Sequence, residues 1–160
     1  MNEPRPIRTP ITIAPVRKSI RVNTRQARAF EVFTASLGRW WPKKTFGPSP
    51  LKNIVFEPRV GGRWYEVGED GTETVVGHIL AWEPPQRFVV TWEVSCTWKV
   101  DSGIGSEVEV RFIAEGEDAT RVELEHRLFE RMGAHGTTIR EEVDGGWLGL
   151  LELFKAEAER

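Results

Sequence analysis

Between residues 53 and 127 the chain is cut into short apolar or alternating runs, each closed by residues that turn the backbone. The runs are Asn53 to Glu57, Arg63 to Val67, Thr74 to Glu83, Arg87 to Val94, Glu107 to Ala114 and Thr120 to Arg127. Between them stand Pro58 to Gly62, Gly68 to Gly71, Pro84-Pro85, Ser102 to Gly105 and Gly116 to Asp118. Runs of this length with these stops predict strands joined by hairpins, a meander of antiparallel neighbours. A further strand is predicted at the start, where Val16, Lys18, Ile20 and Val22 share a face that one lysine interrupts.

Such a sheet needs a cover for its apolar side, and the end of the chain supplies one. Val143, Trp147, Leu150, Leu151, Phe154 and Ala158 recur at helical spacing, and Thr138 with Glu141 predicts a capping box. A shorter helical pattern runs from Arg25 to Leu37, with Asn23 and Thr24 as capping side chains and Gly38 as its stop. The expected class is therefore α+β: a curved seven-stranded antiparallel sheet wrapped around a long C-terminal helix, with short helices after the first strand. Curvature of that kind leaves a cavity between sheet and helix.

Parity sets two registers, because each pairing must keep one face apolar. Across Gly116 to Asp118, Phe112 faces Val122, Val110 faces Leu124 and Val108 faces His126, while Arg111 meets Glu123 and Glu107 meets Arg127 on the other side. Across Pro84-Pro85-Gln86 the same test pairs Trp82 with Phe88, Leu80 with Val90 and His78 with Trp92.

The length, 160 residues, suits one domain, expected over residues 16–160 after a flexible arm at 1–15 that carries Pro4, Pro6, Pro10 and Pro15. A formal charge of −2 and a pI near 6.0 argue against a nucleic-acid partner, which would call for a basic excess. No apolar run is long enough to insert into a membrane, and a lone cysteine, Cys96, rules out an internal disulfide. These features together point to a cytoplasmic protein. His78, His126, His135 and Cys96 match no metal-ligand spacing, and no phosphate loop or nucleophile elbow is present, so no metal or cofactor is expected.

Seven tryptophans against one tyrosine are the unusual part of the composition. Trp64, Trp92 and Trp147 fall on apolar faces, as core or as cavity wall. Trp40 and Trp41 flank a loop that could gate a cavity mouth or plug it, and Trp98 lies in a stretch that reads as an exposed loop. His126 shares the inward face of Val122 and Leu124, where it would either orient a ligand carbonyl or be a core histidine satisfied by a hydrogen bond. Glu66 shares a face with Trp64 and is a candidate cavity carboxylate, whereas Glu57 and Arg59 suit a structural ion pair at a turn.

Glu57-Pro58-Arg59-Val60-Gly61-Gly62-Arg63-Trp64, Gly71 with Gly77, Glu83-Pro84-Pro85-Gln86-Arg87-Phe88 leading to Thr91-Trp92, Thr120 to Leu124, and Gly146-Trp147 carry a resemblance. In this order and spacing they resemble the Hsp90 ATPase activator homologue 1-like family, of the START-like, Bet v 1-like helix-grip superfamily, over about Val16 to Phe154. The resemblance implies a helix-grip fold. It also implies the range of that superfamily, whose members bind apolar small molecules, lipids or polyketides and include cyclases, aromatases and hydratases. The family's eukaryotic co-chaperones engage Hsp90 largely through a separate N-terminal domain, for which this chain has no room.

The leading expectation is a binding module for an apolar, aromatic or lipid-like small molecule, with a wall of Phe33, Trp40, Trp64, Glu66, Trp92, His126, Trp147 and Leu151. A second reading is a cyclase- or hydratase-type enzyme using His126 or Glu66 as acid or base. A third is a protein-binding module, with a chaperone as partner by family analogy and Trp41 or Trp98 as anchors.

Overall fold

Each strand from the second to the sixth lies beside its successor, and the first strand pairs with the last. The computed structural model describes residues 12–43, 46–94 and 105–160. In chain order these form β1 (Val16–Val22), α1 (Gln26–Thr34), α2 (Leu37–Trp40), β2 (Leu51–Phe56), β3 (Arg63–Gly68), β4 (Glu73–Glu83), β5 (Arg87–Trp92), β6 (Ser106–Ala114) and β7 (Thr120–Arg127). A 3-10 turn, Phe129–His135, then leads into α3 (Gly136–Ala158). The seven strands pair antiparallel in the order β1-β7-β6-β5-β4-β3-β2, and the sheet curls around α3 as an α+β helix-grip fold. Among the described residues no helix is long and apolar enough to cross a membrane.

The β6–β7 register is the expected one, with Phe112 opposite Val122, Val110 opposite Leu124 and Val108 opposite His126. Its outer face gathers charge around Glu109, which is buried although it points away from the core. Arg127 Nη1 lies 2.7 Å and Arg111 Nη2 3.1 Å from that carboxylate, and Arg87 Nε also bonds it. Burial would raise the Glu109 pKa, but the hydrogen bonds of Arg87 and Arg127 outweigh it and hold the group below its usual range.

The β4–β5 register departs from expectation. Trp82 does face Phe88, but a bulge between Ile79 and Ala81 brings Ile79, not Leu80, opposite Val90. Ile79 is then buried while Leu80 stands 45% exposed. The extra residue of a bulge reverses parity along the rest of the strand, so His78 does not meet Trp92.

Three predicted helix signals are also corrected. Asn23 and Thr24 do not cap α1, which starts after Arg25 with no side-chain cap. Instead Asn23 N donates to Glu159 Oε2 at 2.6 Å and Thr24 O accepts from Thr120 Oγ1 at 2.8 Å, tying the β1–α1 corner to α3 and β7. Gly38 is no stop but sits inside α2, where a Cβ would meet Asn53 Oδ1 and the Asn53 side chain would have to move. Thr138 and Glu141 form no capping box, because α3 already begins at Gly136 with His135 as an N-cap that makes no side-chain bond.

Lys18, the interruption on the inner face of β1, reaches Asp144 of α3 at 2.9 Å. The described end of the arm is fastened as well: Arg140 donates to Ala14 O at 2.6 Å and to Pro15 O at 3.3 Å, and Ile13 packs on the core. Pro4, Pro6 and Pro10 lie outside the described residues.

Candidate functional site

The inner face of the sheet and the buried stripe of α3 meet through a core rich in aromatic rings. From α3, Ile139, Val143, Trp147, Leu151, Phe154 and Ala158 are buried, one residue per turn on the side facing the strands. Phe33 of α1 packs on Trp40, Phe88, Phe112 and Phe154 with ring centroids 4.9–5.8 Å apart. Toward the other end of the sheet, Trp41 contacts Trp64 at 5.9 Å and Trp147 at 6.2 Å, and Trp92 contacts Trp64 at 5.6 Å and Trp147 at 5.8 Å. Such tilted and edge-on pairs add to the burial that drives the packing.

Between these groups is a void of about 10 Å³ lined by Phe33, Leu37, Trp41, Phe56, Trp64, Phe88, Val90, Val108 and Trp147. That is space for about one water molecule. Among the described residues, this part of the interior is filled by its own side chains in this conformation. Phe33, Trp64 and Trp147 of the expected wall line the void, whereas Trp40, Glu66, Trp92, His126 and Leu151 lie outside its lining.

Each of those five has a definite place. Trp40 is an anchor, buried with Nε1 donating to Val32 O at 2.8 Å. Leu151 is fully buried in the α3 stripe. Glu66 is buried on β3 and its Oε1 accepts the Phe46 N–H at 2.7 Å, holding the segment after α2 against the sheet. Trp92 stacks beside His126 at 5.3 Å.

His126 is fully buried, with both nitrogens bonded. Trp147 Nε1 donates to His126 Nδ1 at 3.1 Å, and His126 Nε2 lies 2.8 Å from Ser106 Oγ. An indole nitrogen can only donate, so Nδ1 must accept and the proton of the neutral ring sits on Nε2, which donates to Ser106. Ser106 Oγ passes its own hydrogen to Trp92 O at 3.4 Å. Burial pushes the His126 pKa down to about 3, so the ring is neutral at physiological pH.

Two polar atoms of the interior are left over: Trp64 Nε1 and Trp92 Nε1 are buried and have no hydrogen-bond partner among the described residues. The sequence offered no signal for this, since tryptophan on an inward face reads as apolar filling. Trp41, beside the loop for which gate and plug are the two readings, lines the void and is partly exposed. The ion pair expected between Glu57 and Arg59 is present at 3.7 Å, but Arg63 is the nearer partner at 3.2 Å. Cys96 and Trp98 lie outside the described residues.

Comparison with known proteins agrees with this architecture. The family described as Activator of Hsp90 ATPase homolog 1-like protein matches residues 23–159. Comparison with curated proteins gave no match. Among solved structures, the anthrahydroquino-gamma-pyrone synthase Txn09, complexed with SUM, is 40% identical with a TM-score of 0.58, covering 83% of this chain and 88% of that one. CalC, a self-sacrificing resistance protein from Micromonospora echinospora, is 34% identical with a TM-score of 0.68, covering 90% and 93%. NE0264 from Nitrosomonas europaea, 14% identical with a TM-score of 0.63 over 89% and 92%, shares the fold. Strands β2 to β7, the α3 stripe and the aromatic interior fall within the matched span, and the chain belongs to the Activator of Hsp90 ATPase homolog 1-like protein family.

Proposed function

We propose that this protein binds an apolar aromatic small molecule between α3 and the sheet, and that Trp41 is the side chain that moves aside to admit it. The observation that carries this reading is the position of Trp41. Of the residues around the void, the others are buried, while Trp41 is partly exposed and lies just past the last turn of α2, outside any helix or strand. A ring held by packing, on a residue outside the sheet, can leave without breaking a hydrogen-bonded ladder. The space it vacates is walled by Phe33, Trp64 and Trp147, surfaces suited to a flat apolar ligand. The anthrahydroquino-gamma-pyrone synthase relative, 40% identical and complexed with SUM, supports a small-molecule ligand for this chain as well.

A closed plug means that only the open fraction of molecules is competent, which weakens apparent affinity by that fraction. Trp41→Ala is therefore expected to bind 1-anilinonaphthalene-8-sulfonate at one saturable site about tenfold more tightly than wild type. Near-UV circular dichroism should show the fold intact in both. Absence of a saturable site in both proteins would contradict the reading.

A further inference from the structure

Two buried donors of the interior lack an acceptor among the described residues, and this bears on which aromatic molecules it takes. Other polar side chains there have partners: Trp40 Nε1 bonds Val32 O, Thr34 Oγ1 bonds Phe30 O, Glu66 Oε1 accepts the Phe46 N–H, and Trp147, His126 and Ser106 form a chain that ends on Trp92 O. What is left is two donors. Trp64 and Trp92 are each 4% exposed, their rings touch at 5.6 Å, and neither indole N–H has a partner among the described residues. A buried donor without an acceptor is costly, and native proteins keep few of them. Here two stand in adjacent rings, and one of those rings lines the void beneath Trp41.

We infer that the ligand is a fused-ring aromatic ketone, whose ring carbonyl accepts hydrogen bonds from Trp64 and Trp92. This rests on the binding reading above and adds the chemistry of recognition to it. A carbonyl oxygen has two lone pairs and no hydrogen, so one oxygen can take both N–H groups and needs no acceptor in return. A fused bicycle also has the outline of the indole it displaces when Trp41 swings away. A hydrocarbon of the same shape would fill the space but leave both donors unpaired.

The test compares two bicyclic acids, chromone-2-carboxylate, which carries a ring carbonyl, and 2-naphthoate, which does not. Dissociation constants are measured by calorimetry with wild type and Trp41→Ala. The chromone is expected to bind about tenfold more tightly than the naphthoate in both proteins. In Trp64→Phe and Trp92→Phe that preference should shrink by about threefold or more each, with naphthoate affinity changed less. Equal affinity of wild type for the two acids would overturn the donor assignment while leaving the binding reading standing. Failure of both acids to bind wild type and Trp41→Ala would overturn both. The wild-type comparison needs no folded variant.

Discussion

Replacing Trp147 by alanine is expected to bring the domain to the edge of unfolding. The side chain is 3% exposed and touches Trp41, Trp92 and His126. Emptying so large a buried site costs about 3–5 kcal/mol through lost transfer energy and the cavity left behind. The change also takes the donor away from His126 Nδ1, and a buried acceptor left unpaired costs about 1–3 kcal/mol more. Domains of this kind are held by only about 5–15 kcal/mol, so the sum is a large share of the total. Trp147→Phe keeps an aromatic ring and loses mainly the N–H, so it should cost less than half as much. Urea denaturation of the three proteins measures both differences. A Trp147→Ala variant within about 1 kcal/mol of wild type would show that the aromatic interior does not hold the fold together.

The second large effect is acid sensitivity set by His126. Burial lowers its pKa to about 3 in the folded protein, against an ordinary value of 6.5. Below pH 6.5 the unfolded chain takes up a proton that the folded chain refuses, so stability is full above that pH and falls as the pH drops toward 3. From about pH 7.5 to about pH 5 the loss should reach about 2 kcal/mol. This window lies above the range in which carboxylates such as Glu109, itself held low by its arginines, begin to protonate. His126→Gln offers an acceptor to Trp147 and a donor to Ser106 without a titrating ring, so its stability should be flat over the same window. Equal slopes for the two proteins would remove His126 as the cause.

Where one face of a strand pair was purely apolar and the other purely charged, the sequence was enough. Val110, Phe112, Val122 and Leu124 could only lie inward, Arg111–Glu123 and Glu107–Arg127 closed the outer face, and the register of β6 with β7 followed. In β4 both faces are apolar, so nothing in the pattern marked the bulge that turns Leu80 outward and Ile79 in. Gly38 illustrates a different limit. A glycine after a helical pattern reads as a stop, yet here it lies inside α2 beside the Asn53 side chain, a contact with no trace in local sequence.

The candidate site was legible in the same uneven way. The inward faces of Trp64, Glu66, Trp92, His126 and Trp147 follow from parity and helical spacing. The partners of His126 do not, because Ser106 and Trp147 arrive from β6 and α3, each some twenty residues away. Trp40 and Trp41 are adjacent and alike, and which one covers the void depends on where α2 ends. With Trp40 as its last residue and bonded to Val32 O, the plug falls to Trp41.

The indole N–H signals of the protein in a ¹⁵N–¹H correlation spectrum, recorded during titration with chromone-2-carboxylate, test the central claim most directly. A ligand seated between α3 and the sheet should shift the signals of Trp41, Trp64, Trp92 and Trp147. Saturation of the protein with those four interior signals unmoved would contradict the account.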